Sequence, residues 1–546
     1  MAPPSVLEHG ADIDAEQRLQ ELGYEQELVR GISFWGILGM GICTLCLPLT
    51  VSDFGSSELQ LIRGSTTVIV MLEGGPVTFL WGWLIWGLIS IVIACCMGEL
   101  VSVYPVASGT YFWTYAMSSP KLRNISSYIN GWFLCIGLVL ALLASAFPFG
   151  QGLGTTITLF HPDYVPSNGV NYGLYVAVLL ITFVLCCCGT RFLEVFNKYG
   201  SYYIMAMTVI LFIAPLVECE NRNDIKWVLG HFDQTYSGWG DWAWFVGLLG
   251  PAGVLCGFGF MTGMCEEVHQ PEKNIPKAMV LTQITSVAIG VPFIISTLFI
   301  MPDTLTVISA VNSQAAYVIL DAAMGAKGSA LVLILLAYIC GIALCVETLT
   351  AGSRFVWSFA RDGGLPFSGW LSKVHPKLQI PLNAMIAITV IDLLLALISF
   401  GSTTAYSAFL GSCTVLIMFA YIHPLVLNVM AKGAYTKNAP WSLGRWSYPM
   451  NIFSVVLVLL GVVAFCFPLY KVFDKTTMNY CVVMVFGFMT ISMAYYFVHG
   501  RKVFIGPGGG HGTALSATAL EPLGEESPVV EADKKIGGGD VHVLSV

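Results

Sequence analysis

Charged residues are scarce in this chain. Asp, Glu, Lys and Arg make up 11% of its 546 residues, whereas a typical soluble domain has about 25%. Hydrophobic residues make up 56%, so a soluble protein of this length would expose large apolar surfaces. The composition excludes an ordinary soluble protein and indicates one that lies in a lipid bilayer. The formal net charge of -8 gives no indication of a nucleic acid partner.

Motifs for several kinds of chemistry are also missing. The 16 cysteines lie mostly within apolar runs, where free cysteine behaves as a small hydrophobe, and no zinc-type C-x2-C pairing repeats. The histidines are scattered and form neither H-x3-H nor H-E-x2-H, and there is no P-loop. We therefore predict no metal site, no cofactor, no direct coupling to ATP and no enzymatic activity. Residues 1–30 are polar and lack the apolar core of a cleavable signal peptide.

Apolar runs close to the roughly 20 residues that span a bilayer recur along the chain. Backbone groups in hydrocarbon must be satisfied internally, and the period-two alternation of a barrel strand is missing, so we predict helices. This gives an all-α polytopic membrane protein with about twelve spans. The predicted spans are 33–72 (interrupted), 77–98, 126–150, 173–189, 200–217, 243–264, 279–301, 329–351, 383–400, 406–430, 451–470 and 478–498.

Lys and Arg are more frequent in the loops that would face the cytoplasm if the N-terminus were inside, so both termini are predicted to be cytoplasmic. The glycine-rich stretches "GPGGGHG" and "GGGD" near the C-terminus bury too little apolar surface to fold alone. We divide the chain into a cytoplasmic N-terminal tail (1–30), a first half with the outer loop that follows it (31–240), a second half (241–432), two further spans (433–500) and a disordered cytoplasmic tail (501–546).

Two glycine pairs occupy corresponding positions in the first and sixth predicted spans. They are Gly39-Met40-Gly41 and Gly257-Phe258-Gly259. Glycine weakens a helix by about 1 kcal/mol relative to alanine. One explanation is close helix packing through small residues. The other is an unwound helix near the bilayer midplane, and its repetition in two five-helix halves is typical of transporters with inverted repeats.

An unwound helix creates a binding site. Its freed N–H groups present partial positive charge to a carboxylate, and freed carbonyls can receive an ammonium group. An aromatic ring beside the break can close over the solute or hold a cation on its face. The predicted substrate-binding residues are Gly39, Met40, Gly41, Gly257, Phe258, Gly259 and Phe260.

Charged residues in the spans need a reason, because an acid at the centre of a membrane helix costs about 2.5–3.5 kcal/mol on insertion scales. Glu347 either pairs with Arg354, seven residues on, or faces the central cavity and carries a proton. Glu266 and Glu267 mark the end of the sixth span. They either pair with cations such as Lys273 or Arg354, or are solvated at a helix end. These three acids and Arg354 are the candidates for proton coupling or gating.

Three ordered motifs resemble one transporter family. They are "GELVSVYPVASGTYFW" (98–113), "CEEVHQPEKNIPKAM" (265–279) and "SRFVWSFARDGGLPFSGW" (353–370). They are similar to the amino acid/polyamine/organocation (APC) superfamily, and within it to the amino acid–choline branch that includes fungal GABA and choline permeases. Over residues 20–500 the resemblance implies a LeuT-type 5+5 inverted-repeat core with two extra C-terminal helices, and an inner gate near Glu266 and Glu267.

The resemblance also implies a function. We expect a secondary active transporter that imports a small amine-bearing solute by alternating access, with protons as the coupling ion. An amino acid such as GABA is the first expectation. Choline, a polyamine or a vitamin precursor is the alternative, and a nutrient sensor that does not transport is a further one. The plasma membrane is the expected location, with the vacuolar membrane as the alternative.

One stretch departs from the family pattern. Residues 47–63 intervene between the glycine break of the first span and Gly74-Gly75-Pro76, and they include Pro48 and Arg63, which are costly in hydrocarbon. We interpret them either as a translated intron or as a genuine extracellular elaboration.

Overall fold

The computed structural model describes residues 15–46, 66–158, 160–161, 163–164, 166–308, 315–332, 338–475, 478–504 and 506–508. Within these ranges the regular structure is helical, and the β-pairing consists of two isolated bridges. The predicted all-α polytopic fold is therefore confirmed. The predicted insertion at 47–63 lies outside the described residues, as does most of each tail.

The helices follow one another with short connections. A helical stretch over residues 15–21 precedes the numbered α-helices. These are α1 (Phe34–Leu45), α2 (Thr66–Leu72), α3 (Gly75–Val103), α4 (Thr110–Met117), α5 (Arg123–Thr158), α6 (Asn168–Cys186), α7 (Thr190–Glu218), α8 (Ile225–Gly230), α9 (Ala243–Gly247), α10 (Leu249–Val254), α11 (Pro271–Ile300), α12 (Thr304–Ile308), α13 (Ala315–Val332), α14 (Tyr338–Arg361), α15 (Ser368–Leu371), α16 (Leu382–Ala396), α17 (Ile398–Gly401), α18 (Thr403–Met430), α19 (Ser447–Phe465), α20 (Cys481–Tyr495) and α21 (Arg501–Val503). Tighter 3₁₀ segments cover Gly240–Trp242, Gly257–Met264, Ala434–Thr436 and Gly444–Trp446, and a π-helical turn covers Tyr496–Gly500.

Twelve helical segments in the described part of the chain are long and apolar enough to cross a membrane. The set differs from the predicted one at two places. It omits the first span, because α1 has only 12 residues, and it includes α13, to which the sequence analysis assigned no span. The α13 helix is kinked at Gly325 and exposes Asp321 and Lys327. Because these polar residues interrupt its apolar ones, the hydropathy pattern of a membrane span is weak there.

The eighth predicted span, 329–351, lies too early in the chain. The observed α14 extends to Arg361 and therefore places Glu347 near its middle. It ends where Gly363 adopts a φ of 79° and Gly364 donates its N–H to the carbonyl of Phe359 at 2.9 Å, as expected of a glycine-capped helix end. The ten residues that the predicted span lacks include Arg354 and Arg361, whose charges lower the hydropathy at this end of the helix.

Burial separates central from peripheral helices. Of the 18 most apolar consecutive residues of α14, 89% are buried, whereas the buried share is 22% in α7 and in the span that begins with α20. Leu180, Val209 and Phe486 are among the large apolar side chains exposed on peripheral helices. Lipid would cover such a surface, whereas α14 lies in the middle of the bundle. The structure is that of an integral, multi-pass membrane protein.

The second helices of the two predicted halves, α3 and α11, pack antiparallel. A Cβ atom on Gly290 would lie 2.6 Å from the ring of Trp83, and one on Gly87 would lie 2.5 Å from Val287. One turn further along α3, Ser90 donates to Gln283 at 3.2 Å. As the residue numbers of the contacts increase along α3, those along α11 decrease. The two helices therefore run in opposite directions, as an inverted repeat predicts. Glycines let these two helices approach closely.

The Glu99 carboxylate fixes the C-terminal end of α3. It accepts hydrogen bonds from the Leu443 N–H at 2.6 Å, from the Ser447 hydroxyl at 2.6 Å and from the Ser442 hydroxyl at 3.4 Å. Ser447 is the first residue of α19. This buried acid therefore ties the second span to the start of the eleventh.

We expect Glu99→Ala to destabilise the protein, because hydrogen bonds to a charged group are worth about 1.5–3 kcal/mol each. Glu99→Gln keeps one acceptor oxygen and should lose less. Thermal unfolding of the purified protein in detergent measures both changes. Glu220, an exposed glutamate, provides the control, since Glu220→Ala should change stability by less than about 0.5 kcal/mol. Equal stability of Glu99→Ala and wild type would contradict the anchoring role.

Candidate substrate site and inner network

The sixth span is broken in its middle. The α10 helix ends at Val254, and the chain continues as the 3₁₀ segment Gly257–Met264. Two carbonyls at this transition are bonded by side chains from other helices. The Gln283 amide donates to the carbonyl of Leu255 at 2.9 Å, and the Tyr421 hydroxyl donates to the carbonyl of Cys256 at 3.0 Å. The α-helix is interrupted where the break was predicted, but a 3₁₀ segment continues the span, and these two carbonyls are not open to a substrate ammonium in this conformation.

The glycines of the break allow close approach of two neighbouring helices. A Cβ atom on Gly257 would lie 2.8 Å from the methyl group of Thr44 in α1, and one on Gly259 would lie 2.4 Å from the hydroxyl oxygen of Tyr421 in α18. The buried ring of Phe258 lies 5.4 Å from the Tyr421 ring. Phe260 is also buried. Unwinding and close packing therefore act together here.

The first helix does not unwind at Gly39-Met40-Gly41, so the predicted position of its break is wrong. The α1 helix is continuous from Phe34 to Leu45 and ends at Cys46, which has a φ of 34°. A Cβ atom on Gly39 would lie 2.4 Å from the backbone carbonyl oxygen of Asn197 in α7. A Cβ atom on Gly41 would lie 2.3 Å from Thr282 in α11. In α1 the pair serves packing, which was the alternative explanation.

Glu347 lies where α1, α7 and α14 meet, and its side chain is fully buried. The Asn197 amide, with its nitrogen turned toward α14, donates to Oε1 of Glu347 and to the carbonyl of Leu193 at 3.3 Å. The other carboxylate oxygen of Glu347 has no hydrogen-bond partner in the described part of the chain. Asn197 was not predicted as a site residue, because it lies next to Lys198, between the predicted spans 173–189 and 200–217.

Glu267 is the partner of Arg354. The Arg354 Nε lies 2.8 Å from Glu267 Oε1, and both side chains are fully buried. A second guanidinium nitrogen donates to Oε2 at 3.3 Å, and the Thr190 hydroxyl donates to the same oxygen at 2.8 Å. Of the alternatives left open by the sequence, the Glu267–Arg354 pair is therefore present, and Arg354 does not form a salt bridge with Glu347.

Glu266 forms its ion pair two turns further along α14. Its carboxylate accepts from Arg361 at 2.9 Å. The Arg361 guanidinium lies over two aromatic rings, 4.2 Å from the centre of Tyr24 and 4.3 Å from the centre of Trp357. Cations over aromatic faces are stabilised by the ring quadrupole. Neither glutamate is solvated at a helix end, because Glu266 and Glu267 are both buried.

Asp362 joins the two terminal segments. It accepts hydrogen bonds from the Tyr24 hydroxyl at 2.8 Å, from the Tyr111 hydroxyl at 2.7 Å and from the Gly508 N–H at 3.3 Å. The described parts of both terminal segments therefore lie on one face, which we call the inner face. The paired charges on this face and the tyrosine between them form what we call the inner network: Glu266, Glu267, Arg354, Arg361, Asp362 and Tyr24.

Burial sets the protonation of the two tyrosines that bond Asp362. It raises the pKa of the Tyr24 and Tyr111 hydroxyls well above their usual value, and the negative charge of Asp362 raises the pKa of both further. Burial also raises the pKa of Asp362, against the opposing effect of the Arg361 charge. The two phenols therefore remain protonated donors at neutral pH.

The segments near the chain ends are packed rather than solvated, which corrects the prediction for the parts described. Leu22, Tyr24 and Leu28 are buried, as is Phe504. The N–H groups of Gly31 and Ile32 both donate to the carbonyl of Glu267 at 2.9 Å. The segment before α1 and the end of the sixth span thus close the inner face together. Residues 1–14 and 509–546 lie outside the described residues.

Comparison with known proteins identifies the family. The sequence model described as amino acid permease matches residues 32–488. The chain belongs to the amino acid permease family. Members of this family transport solutes across membranes, so the chain is a transporter by family rather than an enzyme. An amino acid or an organocation is the class of substrate that this membership implies.

Relatives of this amino acid permease cover nearly all of the chain. A choline transporter of Saccharomyces cerevisiae is 29% identical over 506 residues, which are 90% of this chain and 85% of the relative. An uncharacterised amino-acid permease of Schizosaccharomyces pombe is 29% identical over 528 residues, 95% of this chain and 89% of the relative. The amino-acid permease BAT1 of Arabidopsis thaliana is 25% identical over 512 residues, 90% of this chain and 95% of the relative.

The buried pair in this permease allows a double-mutant test. Glu267→Gln or Arg354→Gln alone should destabilise the protein by about 3–5 kcal/mol, because each leaves an unpaired buried charge. The double variant should cost less than the sum by about 0.5–3 kcal/mol. Thermal unfolding in detergent measures all three. The exposed Glu21, which pairs with Arg18, provides the control, since Glu21→Gln should cost less than about 1 kcal/mol. Strict additivity at Glu267 and Arg354 would contradict the coupling.

The packing role of Gly39 predicts a steric effect. Gly39→Ala places its Cβ 2.4 Å from a backbone carbonyl that no side-chain rotation can move. We expect α1 and α7 to separate, with a loss of stability of about 1–3 kcal/mol. Gly173→Ala in α6 is the matched control, because nothing lies within 4 Å of the added methyl group. If both variants unfold at the wild-type temperature, the contact between Gly39 and Asn197 does not constrain the fold.

Proposed function

We propose that this amino acid permease is a secondary active transporter that imports a small amine-bearing solute by alternating access, with protons as the coupling ion. The observation that carries the proposal is the broken sixth span. Its 3₁₀ segment, Gly257–Met264, lies next to the end of α1 and is supported by Gln283 and Tyr421. Unwound backbone at membrane depth is tolerated where protein buries it or where it lines a cavity. In transporters of this architecture, such breaks form the substrate site.

The proposed substrate site lies between the break of the sixth span and the end of α1. It includes Gly257, Phe258 and Gly259 with the Tyr421 ring beside them, and Thr44 near the end of α1, whose methyl group would lie 2.8 Å from a Cβ atom on Gly257. Phe260, Gly39, Met40 and Gly41 take part as the packed surroundings of this site. Because α1 is continuous through its glycine pair, its contact with the site lies at Thr44, near the end of the helix.

The aromatic pair Phe258–Tyr421 and the family together support an amine as the recognised group. An amino acid such as GABA is our first proposal. Choline is the second, because an aromatic face suits a quaternary ammonium and because one relative is named a choline transporter. A polyamine or a vitamin precursor is a third possible outcome of a substrate survey.

Glu347 is the proposed proton carrier. It is fully buried in the middle of α14, one of its oxygens is held by Asn197, and the other has no partner in the described residues. Asn197 also contacts Gly39 of α1. A proton that arrives at or leaves Glu347 therefore changes the contact of α14 with α7, and through α7 with α1.

The inner network is the proposed inner gate. Its buried pairs connect α14 to the end of the sixth span, and Tyr24 brings in the N-terminal segment. Solute release to the inside requires these contacts to part. We place the inner face in the cytoplasm and the protein in the plasma membrane, with the vacuolar membrane as the alternative. Protease protection of an N-terminal epitope in intact cells and in cell-derived vesicles tests the orientation.

Uptake into proteoliposomes tests coupling. With one proton per solute, a pH gradient of one unit supports accumulation of at most about tenfold. We expect wild type to concentrate its substrate and Glu347→Gln to equilibrate it without accumulation, while exchange of labelled for unlabelled solute continues. Asp321→Asn, at an exposed aspartate of α13, is the control. Accumulation by Glu347→Gln at the wild-type level would contradict the role of Glu347.

The same preparation identifies the substrate. GABA, other amino acids, choline and polyamines compete with one another for uptake of the labelled solute. We expect a GABA-like amino acid to compete best. Better competition by choline would favour the second proposal. Absence of saturable uptake for every candidate would contradict transport and favour the sensor.

A further inference from the structure

One buried carboxylate plays no part in the site described above. Glu73 lies in the turn between α2 and α3, next to Gly74 and Gly75, whose φ values are 115° and 66°. The α3 helix has 29 residues, so at about 1.5 Å per residue its first turn lies roughly 44 Å from its inner end. Glu73 therefore lies on the face opposite the inner network, which we call the outer face.

The Glu73 side chain is fully buried, and no cation of the described residues forms an ion pair with it. Its relative exposure is 0%, and neither carboxylate oxygen accepts a well-formed hydrogen bond in the described part of the chain, although the Ser237 hydroxyl is close enough to act on the carboxylate. Its Cβ approaches α9 closely, because a Cβ atom on Gly247 would lie 3.0 Å from it. A buried carboxylate with no cation is strongly disfavoured in its charged form.

Two loop segments cover this turn, 233–242 and 467–471, which together we call the outer cap. They are joined to each other, since Lys471 donates its N–H to the carbonyl of Ser237 at 3.0 Å and the Trp239 ring N–H donates to the carbonyl of Pro468 at 3.0 Å. They are also joined to the turn, since the Asp233 N–H donates to the carbonyl of Gly74 at 3.2 Å. The outer cap thus depends on the turn that carries Glu73.

The charged and titratable groups around Glu73 do not neutralise it. Tyr470 of the outer cap is the titratable group that interacts with Glu73 electrostatically, while Asp233 and Asp303 act on Tyr236 beside it. Lys471 is exposed. Burial raises the pKa of Glu73 to about 8, against a smaller opposing effect of the Ser237 hydroxyl. The carboxyl is therefore neutral at pH 5–7 and becomes charged under mildly alkaline conditions.

We propose that Glu73 is a proton-binding site on the outer face, and that its bound proton holds the outer cap against α2 and α3. Loss of the proton places an unpaired charge among Ile69, Leu72, Val246 and Leu469, the buried apolar cluster at this position. The outer cap then loosens so that water reaches the carboxylate. Glu73 would act in this way whether or not Glu347 carries the coupled proton.

The sign of the pH effect follows from linkage. The folded-state pKa of Glu73 lies above that of an unfolded glutamate, which is about 4.3. At a pH between these two pKa values, the folded state keeps a proton that the unfolded state has lost. Stability from this group is complete below the lower pKa and falls as pH rises toward about 8. Over that interval the folding equilibrium constant falls by up to about tenfold per pH unit.

Melting temperatures of the purified protein in detergent, measured from pH 5 to pH 9, test the proposal. Glu73→Gln removes the titration but keeps the shape of the protonated side chain. We expect the wild type to lose stability relative to Glu73→Gln as pH rises, with the curves parallel only above about pH 8. Glu220→Gln, at an exposed glutamate, should follow wild type throughout. Parallel curves for wild type and Glu73→Gln over the whole range would overturn the proposal.

A second measurement needs no variant and covers the case in which Glu73→Gln does not fold. Amide hydrogen exchange of the wild type, corrected for the intrinsic pH dependence, is compared at pH 6 and pH 9. Faster corrected exchange at pH 9 within 233–242 and 467–471, but not within α14, supports the proposal. Equal protection of the outer cap at both pH values overturns it. Neither measurement depends on transport.

Discussion

A peptide group that leaves a helix inside a membrane must find another hydrogen-bond partner, because no water is there to supply one. That requirement shapes the centre of this protein. Unwinding of the sixth span frees the carbonyls of Leu255 and Cys256, and the side chains of Gln283 and Tyr421 bond them. Gln283 is in turn held by Ser90 of α3. The break thus depends on three neighbouring helices, and its position is fixed by their packing.

The same constraint explains which features could be predicted from the sequence. The sixth-span break carries its own signal, since glycines permit unwinding and the acidic Glu266 and Glu267 mark the end of the span. The end of α1 carries no such signal. Cys46 gives no indication of a left-handed residue, and Gly39 and Gly41 are needed for the contacts with α7 and α11 rather than for unwinding. A glycine pair has two physical uses, and only the neighbouring helices show which applies.

Partners distant in the chain account for most of what the sequence analysis missed. The charges of Arg354 and Arg361 in α14 are neutralised by Glu267 and Glu266, which follow the sixth span. The segment before α1 was predicted to be solvated because its composition is polar, yet Leu22 and Leu28 are buried. Hydropathy reports the average preference of a segment for lipid or water. It does not report a specific partner that neutralises a charge.

The convergence of both terminal segments on Asp362 bears on how the protein is made. Tyr24 is available early in synthesis, whereas Gly508, which donates to the same carboxylate, follows the last of the described membrane helices. The inner face therefore reaches its complete set of hydrogen bonds last. Until Gly508 has been made, Asp362 lacks one of its three donors, so the contacts that close the inner face are completed only when the C-terminal segment is present.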